Sequence, residues 1–252
     1  MGIAYTVSPL RRIGTLDTEA AEDLRAAPAK PSRPGEQFVI DLILGFPAGS
    51  GQGRVLAGPP PIRYPVRGDI INWRDRLAVK YRVQLDEVLT WNEDSPFSIS
   101  EEPAASADLL LRYVAAIVDE KGAAALKGLV AAARPDRPEI DRALKAADQR
   151  GFTGRFPQLL LTGDYWLPFR RNMIIEDLDW WGRPARFGSV TNLLHEVTEL
   201  RTVIRTADPT AARHRPDERP EAPLATAWQA SETLHHVAKV AVDRHLPLWL
   251  SS

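Results

Sequence analysis

Two apolar stripes near the C-terminus constrain this chain more than any other feature. In 190–205, Val190, Leu193, Leu194, Val197, Leu200 and Ile204 recur at three- and four-residue spacing, and Ser189 stands where a cap is needed. In 224–245, Leu224, Ala227, Trp228, Leu234, Ala238 and Val242 repeat the pattern up to Leu246, and Pro247 ends it. Each stripe occupies one side of a helix, so each helix has to bury that side against a partner. Between them, 206–223 has almost no large apolar side chain and mixes charge with proline, which reads as a flexible loop.

Upstream the periodicity is weaker. A helix is expected over 108–120, on Leu110, Tyr113, Val114, Ile117 and Val118, and a second over 139–147. The run QFVIDLILGF at 37–46 reads as a buried strand. Residues 173–178 and 185–187 read as a hairpin around the Gly182-Arg183-Pro184 turn. Proline-rich stretches at 27–35 and 58–65 interrupt helix and favour extended chain. The expected class is α+β and helix-dominant: one globular unit with a small β component and two C-terminal amphipathic helices. Residues 1–35 form an N-terminal strand or helix with a linker, and 36–252 the main domain.

Composition narrows the chemistry. Cysteine is absent, which excludes thiolate nucleophiles, disulfides and cysteine-based zinc or iron–sulfur sites. Lys+Arg number 32 against 33 Asp+Glu, so no general field draws the chain to nucleic acid or an anionic membrane. No run approaches the ~20 apolar residues of a membrane span. The N-terminal residues do not read as a secretion signal. The expectation is a cytoplasmic protein without a membrane partner, nucleic-acid partner or cofactor. The arginine, alanine and proline bias suits a high-GC bacterial genome.

Three stretches invite a chemical reading. His195-Glu196-Val197-Thr198-Glu199 approaches the zinc-protease pattern but carries Glu199 in place of the second histidine. His195 and Glu199 are expected on the solvent side, as an ordinary pair one turn apart. Glu232-Thr233-Leu234-His235 has the Glu-x-x-His spacing of di-iron bundles, although it occurs once. His235 is expected to point inward with Leu234 and Ala238, and His236 to lie opposite with Glu232 and Asp243. His195, Glu199, Glu232, His235 and His236 are therefore the candidate metal ligands, and the C-terminal helices the place for a metal or acid–base enzyme. The glycine-rich loop 45–53 lacks the lysine a phosphate loop needs. The third stretch, 164–187, interleaves aromatics, arginines and acids. Tyr165, Trp166, Arg170, Arg171, Trp180, Trp181, Arg183 and Arg186 suit a protein interface, because Trp, Tyr and Arg each cover much area and keep a polar handle. The Trp180–Trp181 corner is expected to be partly exposed. On this reading the protein is a non-catalytic binder of another protein.

Three resemblances accompany these readings. Leu77, Ala78, Tyr81, Val83, Leu85, Trp91 and Asn92 fit the closing half of a LysM module, with Tyr64, Val66, Gly68 and Asp69 echoing its opening. The spacing from Asp69 to Leu77 is longer than in that module, and Arg82 replaces its usual glycine. The same 77–92 segment resembles a helix-turn-helix, with Ala78, Val83, Val88 and Trp91 inside; Asp86 and Glu87 would then face phosphates, which is unfavourable. Either resemblance implies a binding segment. The order of a hairpin, an amphipathic helix, a polar gap and a helix ending in Leu246-Pro247-Leu248 resembles small bacterial proteins, some of them immunity-like.

Overall fold

The computed structural model describes residues 4–10, 67–81, 91–103, 107–130, 132–162, 165–179, 183–213 and 222–251. Backbone contacts divide the chain into two units, 1–9 with 69–252, and 10–68. The strand expected at 37–46, the boundary at 35/36 and the 45–53 loop lie outside the described residues. Everything below concerns the first unit.

Among the described residues its strands form one six-stranded sheet. They are β1 (Ala4–Val7), β2 (Ile99–Glu101), β3 (Tyr165–Leu167), β4 (Ile175–Leu178), β5 (Pro184–Ser189) and β6 (Leu248–Ser251), in the order β2-β1-β6-β3-β5-β4. Only β3 and β5 pair in parallel; the other neighbours are antiparallel. The N-terminal strand thus sits inside the sheet, with Tyr5 opposite Leu250 and Val7 opposite Leu248.

The helices are α1 (Arg67–Tyr81), α2 (Ala107–Lys121), α3 (Arg137–Arg150), α4 (Pro157–Leu160), α5 (Val190–Ala207) and α6 (Pro223–Arg244). The α+β, helix-dominant class and the 173–187 hairpin are as expected. The two C-terminal stripes pack on one another, and α6 also packs on α2. Leu193, Val197, Leu200 and Ile204 of α5 join Leu224, Ala227, Leu234 and Ala238 of α6 in one core with Leu110, Val114 and Ile117 of α2. The Ser189 hydroxyl caps α5 by accepting the Asn192 N–H at 3.2 Å. The loop between the last two helices is shorter than 206–223: α5 runs through Ala207, Ala211 is buried within a short 3-10 turn, and Pro223 already begins α6.

Side chains alternate across a strand, so the sheet presents two faces. Tyr5, Val7, Trp166 and Leu248 share the face that meets the α2, α5 and α6 core. Tyr165, Phe187 and Ile175 share the other. There α1 packs: the Trp73 ring stands 4.8 Å from Phe187, and its indole N–H donates to the Leu178 carbonyl at 2.9 Å. Both faces of the central strands are buried, which is why their sequences show no alternation.

Candidate functional site

The 164–187 segment divides into a buried half and a surface half. The structure corrects the expectation for Tyr165 and Trp166, neither of which presents a surface. Trp166 is fully buried, with its indole N–H donating to the Gln158 carbonyl at 2.8 Å. Tyr165 is nearly so, stacked on Phe187 with 5.5 Å between ring centres, and Phe169 is buried. Adjacent aromatics do point to opposite faces, but both faces are covered. Trp180 and Trp181 lie outside the described residues. The arginines stay outside. Arg170 and Arg171 are exposed, their carbonyls accepting from the Asn192 side-chain amide at 3.1 Å. Arg183 is exposed and bridges to buried Asp179 at 3.0 Å.

Arg186 is the pivot of the surface half. Its Nε donates to Glu176 at 2.8 Å across the β4–β5 pair, and one Nη to Asp148 of α3 at 2.5 Å. The Asp148 bond, foremost, holds the guanidinium above its ordinary pKa. Two grooves meet there. One, about 630 Å³, is lined by Lys80, Tyr165, Asp177, Leu178, Pro184 and Ala185. The other, about 510 Å³, is lined by Asp148, Gly151, Phe152, Met173 and Ile174. Leu161, Glu176 and Arg186 line both. Asp177 closes the first groove, bonded to Lys80 at 2.8 Å with Arg76 at 3.7 Å. Burial pushes its carboxyl up, but Lys80, the Leu178 N–H and Arg76 outweigh that and hold it below the usual range. Leu178 and Phe152, each 43% exposed, put apolar surface on either side of the Arg186 bridge.

The candidate metal ligands do not converge. His195 and Glu199 face outward, and Glu199 pairs with Arg155 at 2.6 Å. Glu232 reaches Arg201 at 3.4 Å. His235 is half-buried; burial foremost, then Arg201, Lys239 and His236, hold its imidazole below the ordinary value. His236 meets Glu101 at 3.3 Å. Glu232 and His235 both lie near Arg201, while His236 is turned to Glu101. Among the described residues no three histidines, aspartates or glutamates stand close enough together to hold a metal ion. No helix among them is long and apolar enough to cross a membrane.

Of the 77–92 segment, Leu77 and Ala78 lie on the buried side of α1. Trp91 is buried under the Arg74 guanidinium, 4.6 Å from its ring centre, and its indole N–H donates to Glu93. Residues 82–90 lie outside the described residues. Gly68 and Asp69, which would open a LysM module, lie within the first turn of α1.

Glu196 was not singled out by its sequence setting, and the structure makes it the most buried acid of the C-terminal helices. It lies three residues after Leu193 and four before Leu200, inside the apolar stripe, which is the signal that marks it as inward. Its two oxygens accept the N–H groups of Gln158 at 3.0 Å and Leu159 at 2.9 Å, so it caps α4 from outside. At the other end of α4, Arg112 donates to the carbonyls of Leu159 at 2.8 Å and Thr162 at 3.2 Å. Arg112 is itself held by Asp108 at 3.0 Å, which also accepts the Tyr5 hydroxyl.

Comparison of the chain with known protein families, with curated proteins and with solved structures returns no match.

Proposed function

We propose that this protein is a non-catalytic binder of another protein, and that the partner lies across the two grooves flanking Arg186. The observation that carries this reading is the pair of exposed apolar side chains, Phe152 and Leu178, one in each groove, with Arg186 between them. Interfaces draw most of their energy from a few apolar and arginine anchors within a polar rim. Glu176, Asp177, Asp148 and Lys80 supply such a rim. Tyr165 and Trp166 support the reading indirectly: buried on opposite faces of the sheet, they hold the strand beside the hairpin in place, so little order has to be gained on binding. The encounter belongs in the cytoplasm, whose reducing conditions suit a sequence without cysteine.

Substitution tests it. Arg186→Ala and Phe152→Ala should each weaken partner binding about tenfold or more in calorimetric titration, with the circular dichroism spectrum unchanged. Unchanged affinity in both variants would remove the grooves from the interface.

A further inference from the structure

Glu196 is a buried carboxylate with no cation bonded to it among the described residues, held only by two backbone N–H groups. The charged groups around it do not neutralise it. On its own helix Glu199 is bound to Arg155, which precedes α4; on α2, Asp119 is bound to Arg150 at 2.7 Å and accepts the Arg155 N–H, while Arg112 spends its donors on Asp108 and on carbonyls. α4 itself, Pro-Gln-Leu-Leu, carries no titratable side chain.

The turn that Glu196 grips is connected further. The Gln158 amide donates to the Asn172 side chain and to the Met173 carbonyl, both at 3.2 Å, and its oxygen accepts the Ser189 N–H at 2.7 Å. One side chain thus joins the turn beneath Glu196 to the segment before β4 and to the start of α5. Met173 lines the second groove, and Leu161, whose N–H bonds to the Pro157 carbonyl at 2.9 Å, lines both.

We propose that Glu196 is a proton-operated latch on this turn. As a carboxylate it holds the N–H groups of Gln158 and Leu159 together. When one oxygen takes a proton from solvent it becomes a hydroxyl and a poor acceptor, and the N–H it held is released. The turn loosens at its first residues, and the Asn172–Met173 segment suspended from Gln158 shifts with it. This inference concerns the fold's own motion and does not depend on what the grooves bind. The setting brings the titration near neutral pH: burial foremost pushes the carboxyl up to about 8, the two N–H groups oppose this, and Glu199 and Asp119 add to it.

Carbon-detected NMR of the side-chain carboxyls, with amide spectra of the chain between about pH 3.5 and 9.5, tests the latch. The Glu196 carboxyl carbon, the amide protons of Gln158 and Leu159, and those of Asn172, Met173 and Ser189 should share one inflection above about pH 6, and Glu196→Gln should abolish it at all of them. An inflection for Glu196 near 4.5, the ordinary glutamate value, overturns the proposal. So does a shared inflection at Gln158 and Leu159 with Asn172, Met173 and Ser189 stationary, because the carboxyl then titrates without moving what it holds. If Glu196→Gln does not fold, the wild-type titration decides between these outcomes alone.

Discussion

At Gly188 the absence of a side chain is a packing requirement. A Cβ there would lie 2.4 Å from the Thr162 hydroxyl, 2.6 Å from the Gln158 side-chain oxygen and 2.8 Å from the Trp166 ring. All three neighbours are buried, and Gln158 is bonded on both sides, so none can yield freely. Gly188→Ala should cost about 1–3 kcal/mol or more in denaturant unfolding, the usual penalty for overpacking. A change under about 0.5 kcal/mol would show that β3, β5 and α4 do not meet as described. Glu196 makes a second prediction at this scale. Its folded value near 8 lies above the value of 4.5 it has when solvated, so within that window the folded state binds more protons than the unfolded chain. Stability from this group is therefore fully present below pH 4.5 and is lost as pH rises through about 8. The charged form makes the better local bonds, yet desolvation makes it the costlier state of the whole fold. Unfolding free energy should decline between pH 5 and 8.5 in the wild type and decline less in Glu196→Gln. Parallel pH profiles for the two proteins would contradict the burial argument.

The elements that could be read from sequence are those whose neighbours lie close along the chain. The stripes of α5 and α6 follow from helical period alone, and so does the Ser189 cap. Leu234 is fully buried and Leu194 only half, although both belong to the expected stripes. Leu234→Ala should therefore cost about 2–5 kcal/mol and Leu194→Ala clearly less, measured by thermal or denaturant unfolding. Equal losses at the two positions would mean that the faces are misassigned. Strands β2, β3 and β6 could not be read, because each has three or four residues and the central ones are buried on both faces. Tyr165-Trp166-Leu167 therefore looks like an adhesive surface when taken as a string, whereas Trp166 is buried in the core of α2, α5 and α6 and Tyr165 lies against Phe187, itself beside Trp73 of α1, all brought there by tertiary packing. For the same reason the grooves were only half visible. Arg186 was legible as an arginine among aromatics, but its partners Asp148 and Glu176 and the apolar flanks Phe152 and Leu178 are joined by tertiary packing.

In the molecule as a whole, charge is balanced overall and paired locally: Arg186, Arg183 and Lys80 each have a carboxylate within 3.0 Å. Such a surface supplies little long-range attraction, so recognition has to come from contact, which is why the placement of exposed apolar side chains carries the argument. Outside the grooves, Ile71 and Val79 on α1 and Val130 beyond α2 are also exposed, with Val79 at 81%. Solitary exposed apolar residues are ordinary on protein surfaces, and none of these three lines either of the two grooves. The most direct measurement is site-specific photo-crosslinking in the native cell, with the reactive residue placed in turn at Phe152, Leu178, Val79 and Val130. The account predicts one discrete protein adduct shared by positions 152 and 178, lost on adding Arg186→Ala and missing from positions 79 and 130. Adducts at positions 79 or 130 with none at 152 and 178 would contradict it.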